Sequence, residues 1–124
     1  MSYQVLIAED EFLLRSFYKR ILETAGHQVI EAVDGLQAVE KFQEHKDGLS
    51  LVLLDMTMPG LEGSEVLREI RQTDSRLPVI IASGFGEDAF AEADYNAFLK
   101  KPFNGERLLT TVQAVCPGGA SPES

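Results

Sequence analysis

Glu9, Asp10, Asp55 and Lys101 each follow an apolar, strand-like run: Tyr3 to Ala8 (YQVLIA), Leu51 to Leu54 (LVLL) and Ala97 to Lys100 (AFLK). If these runs lie side by side in a parallel sheet, three carboxylates and one ammonium meet at its carboxyl edge, where open α/β sheets bind ligands. Crowded carboxylates repel one another and raise one another's pKa unless a cation neutralises them, and an all-oxygen cluster suits a hard ion such as Mg²⁺. A carboxylate can also attack phosphorus, and a divalent cation reduces the repulsion between the two anions. The set therefore points to metal-assisted phosphoryl transfer. Asp10, Asp55 and the Thr57 carbonyl would serve the metal, with Glu9 acting directly or through water. Lys101 would pair with Asp55 at rest and with a phosphoryl oxygen afterwards, as a compact charge with rotatable donors. Ser83, closing the run PVIIAS, offers a hydroxyl to another phosphoryl oxygen, and Gly84 beside it leaves space. The Lys101-Pro102 bond is a candidate cis peptide.

Each residue also has a plainer reading. Glu9-Asp10-Glu11 would suit a helix N-terminus, where acids favour the dipole. Ser83 has a lesser reading as a turn serine, and Phe98 reads equally as a core residue. His27 and His45 are isolated and read as surface residues. Met56 and Met58 would pack around the site loop. Cys116 has no visible activating partner and reads as a structural or surface thiol. Asp55 resists such treatment, because an acid after four apolar residues is costly without a partner.

The elements needed to assemble this edge are present. Five apolar runs, YQVLIA, HQVIEA (27–32), LVLLD (51–55), PVIIAS (78–83) and AFLKK (97–101), alternate with amphipathic stretches, the pattern of a parallel sheet covered on both faces. Leu14, Phe17, Ile21, Leu22 and Ala25 mark a helix from Glu11 to Ala25, with Gly26 as its stop. Asp34 caps a second helix whose stripe is Leu36, Val39 and Phe42, fraying at His45 to Gly48. MTMPGLEG (56–63) is a turn, and Ser64 to Thr73 carries Val66, Leu67 and Ile70 on one face. Ser83 to Gly86 reads as a loop, followed by about two helical turns from Glu87 to Asp94. A last helix, capped by Asn104, uses Leu108, Leu109, Val112 and Val115 and stops at Pro117-Gly118-Gly119. This predicts one doubly wound α/β domain over residues 1–117, with strand order 2-1-3-4-5 and a shortened or irregular fourth helix. Residues 118–124 read as a flexible tail or the start of a linker.

Composition narrows the function. The chain has 124 residues, 20 Asp and Glu against 11 Lys and Arg, and a formal charge of −9, which opposes direct binding to nucleic acid or an anionic membrane. A basic or mixed-charge protein is the expected partner. One cysteine excludes an internal disulfide and a Cys-based zinc motif. No apolar run approaches a bilayer span and MSYQ lacks a signal-peptide pattern, so a cytoplasmic location is expected.

VLIAEDE (5–11), LVLLDMTMPGLEG (51–63), PVIIASG (78–84) and FLKKPF (98–103) together resemble the receiver domains of two-component response regulators, over nearly the whole chain. The resemblance implies a flavodoxin-like (βα)5 fold and a phosphoacceptor role for Asp55. It further implies Mg²⁺ held by Glu9, Asp10, Asp55 and the Thr57 carbonyl, and phosphate contacts from Ser83 and Lys101. Phe98 matches the aromatic position that moves with the switch hydroxyl. Phosphoryl groups would come from a histidine kinase or a histidine phosphotransfer protein, and the domain would catalyse its own phosphorylation and dephosphorylation without being a turnover enzyme. A monomer or weak dimer is expected. Glu9 stands where the family more often has Asp. The stretch between Ser83 and Lys101 is short and lacks the usual Gly-Ala pair, which puts the family's usual output dimer in doubt. SGF (83–85) and FLKKPF resemble receivers attached to hybrid sensor histidine kinases, so both a stand-alone and an excised receiver are consistent with the chain.

Two other classes compete. One is a phosphorylation-independent binding module, for which the short segment before Lys101 argues. The other is a small-molecule phosphatase, which wants a second acid close after its nucleophile; Asp55-Met56-Thr57 does not supply it.

Overall fold

A computed structural model describes residues 2–58 and 62–116. Five strands, β1 (Gln4–Ala8), β2 (Gln28–Ala32), β3 (Leu51–Asp55), β4 (Val79–Ser83) and β5 (Ala97–Lys100), form one parallel sheet in the order β2-β1-β3-β4-β5. The helices are α1 (Phe12–Thr24), α2 (Gly35–His45), α3 (Gly63–Thr73) and α4 (Gly105–Val115). Alternation along the strands produces two cores. Leu6, Val52, Leu54, Val79 and Ile81 pack with Ala38 and Phe42 of α2 and Val66, Leu67 and Ile70 of α3. Val5, Ile7, Leu53, Ile80 and Leu99 pack on the other face with Tyr18 and Leu22 of α1 and Leu108 and Val112 of α4. Both faces of the central strands are apolar because both are covered, and the predicted doubly wound fold follows.

The helix ends carry local signals. Asp34 Oδ1 accepts from the Gln37 N–H at 2.8 Å, and Asn104 Oδ1 accepts from the Arg107 N–H at 2.8 Å. Each satisfies a donor that the first helical turn leaves free. Gly26 ends α1 at φ +97°, a conformation strained for any residue with a Cβ.

Three sequence expectations need correction. In α1 the inward stripe is Arg15, Tyr18 and Leu22, while Phe17 and Ala25 face outward and Leu14 and Ile21 are half-buried. The helix is rotated by about one residue because an arginine, which no apolar pattern counts as inward, occupies the core side. In α2 the inward positions are Gly35, Ala38 and Phe42, and Leu36 is 64% exposed. Small residues there let the helix approach the sheet closely. Finally, the two helical turns expected from Glu87 to Asp94 reduce to one 3₁₀ turn at Glu87–Phe90. A cavity of about 670 Å³ lies between this turn and α3, lined by Met56, Leu67, Phe90 and Ala93 among others. The helix stop at Pro117-Gly118-Gly119 and the tail lie outside the described residues; α4 ends at Val115, with the Cys116 N–H on the Val112 carbonyl at 3.1 Å.

Candidate functional site

The register decides which strand ends meet. Ala8 of β1 pairs with Leu54 of β3, so the next residues, Glu9 and Asp55, emerge together. Asp55 pairs in turn with Ala82, and Ser83 with Lys100, which brings Ser83 and Lys101 to the same edge. Backbone bonds extend the ladder there: the N–H groups of Glu9, Met56 and Lys101 donate to the carbonyls of Ala32, Ala82 and Ser83 at 3.1, 3.1 and 2.8 Å. The site residues thereby inherit the rigidity of the sheet.

One carboxylate oxygen from each of Glu9, Asp10 and Asp55 falls within 4.8 Å of the others. Glu9 and Asp55 are buried and Asp10 is exposed. Lys101 Nζ lies 2.9 Å from Glu9 Oε1 and 3.5 Å from Asp55 Oδ1. The pairing expected with Asp55 is present, and a closer one with Glu9 joins it. Burial pushes the Glu9 carboxyl up from its ordinary pKa, and the negative charge of Asp55 adds to this, against the opposing effects of Lys101 and the Glu11 N–H. Burial acts to lower the Lys101 pKa, but its bond to Glu9 and the charges of Asp55 and Glu9 outweigh that and hold it above the ordinary value. Lys101 is therefore an ammonium at neutral pH. The formal charges of three carboxylates and one ammonium sum to minus two, which one divalent cation would offset. The oxygen-only donor set fits Mg²⁺.

Asp55 is held asymmetrically. Its Oδ1 accepts from both the N–H and the hydroxyl of Thr57, each at 3.1 Å, and faces Lys101, whereas Oδ2 accepts no hydrogen bond among the described residues. Met56 and Met58, in the loop that follows Asp55, are buried in the core formed with α2 and α3. A Cβ on Gly63 would lie 2.6 Å from the Met56 Cα and 2.8 Å from the Asp55 carbonyl oxygen, so only glycine lets α3 begin against this turn.

Ser83 is buried, and its Oγ accepts from the Phe85 N–H at 2.9 Å, leaving its own proton free to donate. A Cβ at Gly84 would meet nothing within 4 Å, so the space beside Ser83 is open. Phe98 is half-buried on the same core face as Ile81, with its ring centroid 6.3 Å from that of Phe90. The Lys101-Pro102 bond is cis, as the sequence suggested.

Two residues near the site carried no sequence signal. Tyr18 is buried, stacks on Phe103 at 5.0 Å, and has its hydroxyl pKa raised by burial and by the charges of Glu9 and Asp55. Arg15 is buried among the main-chain carbonyls of the acidic turn. Of the bystanders, His27 is half-buried, its Nδ1 accepting from the Tyr3 N–H at 3.2 Å, and Cys116 is buried with its thiol pushed up to about 11 by burial.

A parallel 2-1-3-4-5 sheet with clustered acids and a lysine at its carboxyl edge defines a phosphoacceptor switch of the CheY-like class. The chain belongs to the response regulator receiver domain family, whose model matches residues 5–113. It is 36% identical over 117 residues to the chemotaxis protein CheY of Bacillus subtilis (strain 168), covering 90% of this chain and 96% of that one. It is 40% identical over 116 residues to the sensor kinase CckA of Brucella abortus (strain 2308), covering 90% of this chain and only 12% of that kinase. Among solved structures it resembles the receiver domain of a sensor histidine kinase from Pseudomonas aeruginosa PAO1, in which a magnesium ion is coordinated in the active-site cleft. The TM-score is 0.84 and the identity 26%, over 93% of this chain and 98% of that one. The chain is thus a receiver domain of two-component signalling, a system in which receivers exchange phosphoryl groups with histidine kinases or phosphotransfer proteins. Among the described residues no helix is long and apolar enough to cross a membrane.

Proposed function

We propose that Asp55 is the phosphoacceptor of this domain and that the domain catalyses its own phosphorylation and dephosphorylation. The observation that carries this reading is the asymmetry of the Asp55 carboxylate. Thr57 and Lys101 engage Oδ1, leaving Oδ2 as the attacking oxygen. In the transfer, Oδ2 forms a bond to phosphorus of a phosphohistidine while the phosphorus–nitrogen bond breaks and the imidazole leaves with the electron pair. Lys101 then shifts from Asp55 to a phosphoryl oxygen and Ser83 donates its free proton to another. Glu9, Asp10, Asp55 and the Thr57 carbonyl would hold Mg²⁺, which supplies charge neutralisation between nucleophile and phosphoryl group.

Ser83 and Phe98 form the transmission pair: alternation puts them on one face of the sheet, and withdrawal of the Ser83 hydroxyl toward phosphate frees room for the half-buried Phe98 ring. The receiver unit spans 1–117, works in the cytoplasm as a monomer or weak dimer, and is supplied by a histidine kinase or a phosphotransfer protein. Acetyl phosphate with Mg²⁺ is expected to add one hydroxylamine-sensitive phosphoryl group by intact mass, lost in Asp55→Asn and on chelation. Labelling that survives Asp55→Asn would sink the assignment. Binding of a partner that ignores beryllofluoride would favour the phosphorylation-independent module instead.

A further inference from the structure

We propose that Arg15 is a positioning residue that fixes the main chain of the Glu9-Asp10 turn and thereby sets the affinity of the site for a divalent cation. This rests on the reading that Glu9 and Asp10 hold that cation. Beyond Ala8 the strand ladder gives out: the Glu9 N–H still reaches the Ala32 carbonyl, but the Glu9 carbonyl has left the sheet. Arg15 Nη1 donates to that carbonyl at 2.9 Å and lies 3.5 Å from the carbonyl of Asp10. One planar guanidinium thus tethers two of the three residues whose carboxylates enter the cluster.

The guanidinium is itself held by Glu31 and the Phe12 ring, and Lys19 holds Glu31 in turn. Its Nε donates to Glu31 Oε1 at 3.0 Å, Glu31 Oε2 accepts from Lys19 Nζ at 3.0 Å, and the Phe12 ring centroid lies 5.6 Å from its central carbon. Glu31 is in register with Ile7 of β1, so the brace runs from the neighbouring strand to the turn. Arg15 is 8% exposed on the inward stripe of α1, where a charge is costly unless it is paired and hydrogen-bonded, as Nε and Nη1 are here. Such outer contacts orient the groups that touch a metal, and their loss typically weakens binding by about 10–100-fold. The alternative is that Arg15 acts through its charge. A cation beside a cation site opposes binding, so the two roles predict opposite signs.

Isothermal titration of the folded domain with Mg²⁺ at neutral pH tests this with Arg15→Lys, Arg15→Met, Glu31→Gln and Asp10→Asn, each also melted in EDTA. Positioning predicts that Arg15→Lys and Arg15→Met both weaken Mg²⁺ binding by about ten-fold or more, with a smaller loss in the same direction for Glu31→Gln. The Mg²⁺ concentration that half-saturates acetyl phosphate labelling should rise in parallel, with the rate at saturating Mg²⁺ retained. A merely structural role would lower the melting temperature in EDTA and leave the Mg²⁺ affinity of the folded protein unchanged, which overturns the proposal. Tighter binding by Arg15→Met overturns it in favour of the field effect. If Arg15→Met does not fold, Arg15→Lys and Glu31→Gln decide between the same outcomes. Wild type that binds no Mg²⁺, or Asp10→Asn that binds equally well, refutes the metal reading itself. Asp10-dependent binding that the Arg15 variants leave intact refutes only the role of Arg15.

Discussion

Asp55 and Phe90 belong to the same end of the sheet, but their surroundings differ in kind. Asp55 ends a strand and Glu9 and Lys101 directly follow strands, and the N–H groups of Glu9, Met56 and Lys101 continue the sheet's hydrogen bonding. The return from Gly84 to Asn96 has one 3₁₀ turn and is held by side-chain straps. Arg71 reaches the Leu77 and Asp94 carbonyls at 2.7 and 2.9 Å and Asn96 Oδ1 at 2.9 Å. Asn96 Oδ1 also accepts from the Val79 N–H, and the Tyr95 hydroxyl donates to Glu87 Oε2. Chemistry needs atoms fixed to fractions of an ångström, and strand ends provide that. A reporting surface needs two accessible arrangements, and a segment with few buried apolar contacts opens at low free energy.

The largest expected perturbation is at the rigid side. Lys101→Met leaves Glu9 and Asp55 buried without their cation, and such a loss costs up to about 3–5 kcal/mol, less whatever protonation of Glu9 relieves. Urea unfolding in EDTA should show the deficit and Mg²⁺ should shrink it; an unchanged midpoint would mean that the edge is not electrostatically braced. Arg71→Ala is the matching cut on the strapped side, expected to cost about 1–3 kcal/mol. Hydrogen exchange should accelerate in residues 84–96 while acetyl phosphate labelling persists. Acceleration spread evenly over the sheet would erase the distinction between the two regions.

Glu31 offers a smaller, pH-dependent test of the brace behind the acidic turn. Burial tends to raise its pKa, but the hydrogen bonds and charges of Lys19 and Arg15 prevail and hold it below the ordinary value. A carboxylate with a lowered folded pKa contributes stability above its unfolded pKa and loses it as pH falls through the folded one. The difference between wild type and Glu31→Gln should therefore be about 1 kcal/mol or less at neutral pH and vanish in acid, as read by melting across a pH series. Glu9 has the opposite sign: its raised pKa means that ionising it costs stability as pH rises. The smallest effect on chemistry is expected for Ser83→Ala. Labelling of Asp55 should remain while the change in exchange across 84–96 on beryllofluoride addition weakens, and an unchanged response would remove Ser83 from the transmission pair.

The strands were legible because a strand buried on both faces is a nearly continuous apolar run, and the site was legible because its acids end those runs. Arg15 escaped because periodicity treats arginine as solvent-facing, although its guanidinium satisfies carbonyls that the sheet leaves open. The same convention placed Phe17 and Leu36 inside, where Tyr18 and Ala38 in fact sit. The closer partner of Lys101 was also invisible, since Glu9 is distant in sequence and meets it only across the assembled edge.

From sequence alone came the order of elements, the family motifs and the identity of the reacting groups, all carried by residue type and short-range spacing. The tertiary structure alone decided which oxygen of Asp55 is left open, that Lys101 binds Glu9 more closely than Asp55, and that one arginine ties the acidic turn to β2. Those facts depend on register and on helix rotation, where a shift of one residue turns a side chain to another face. Local pattern sets which residues prefer burial, but only packing against the sheet selects the face that obtains it.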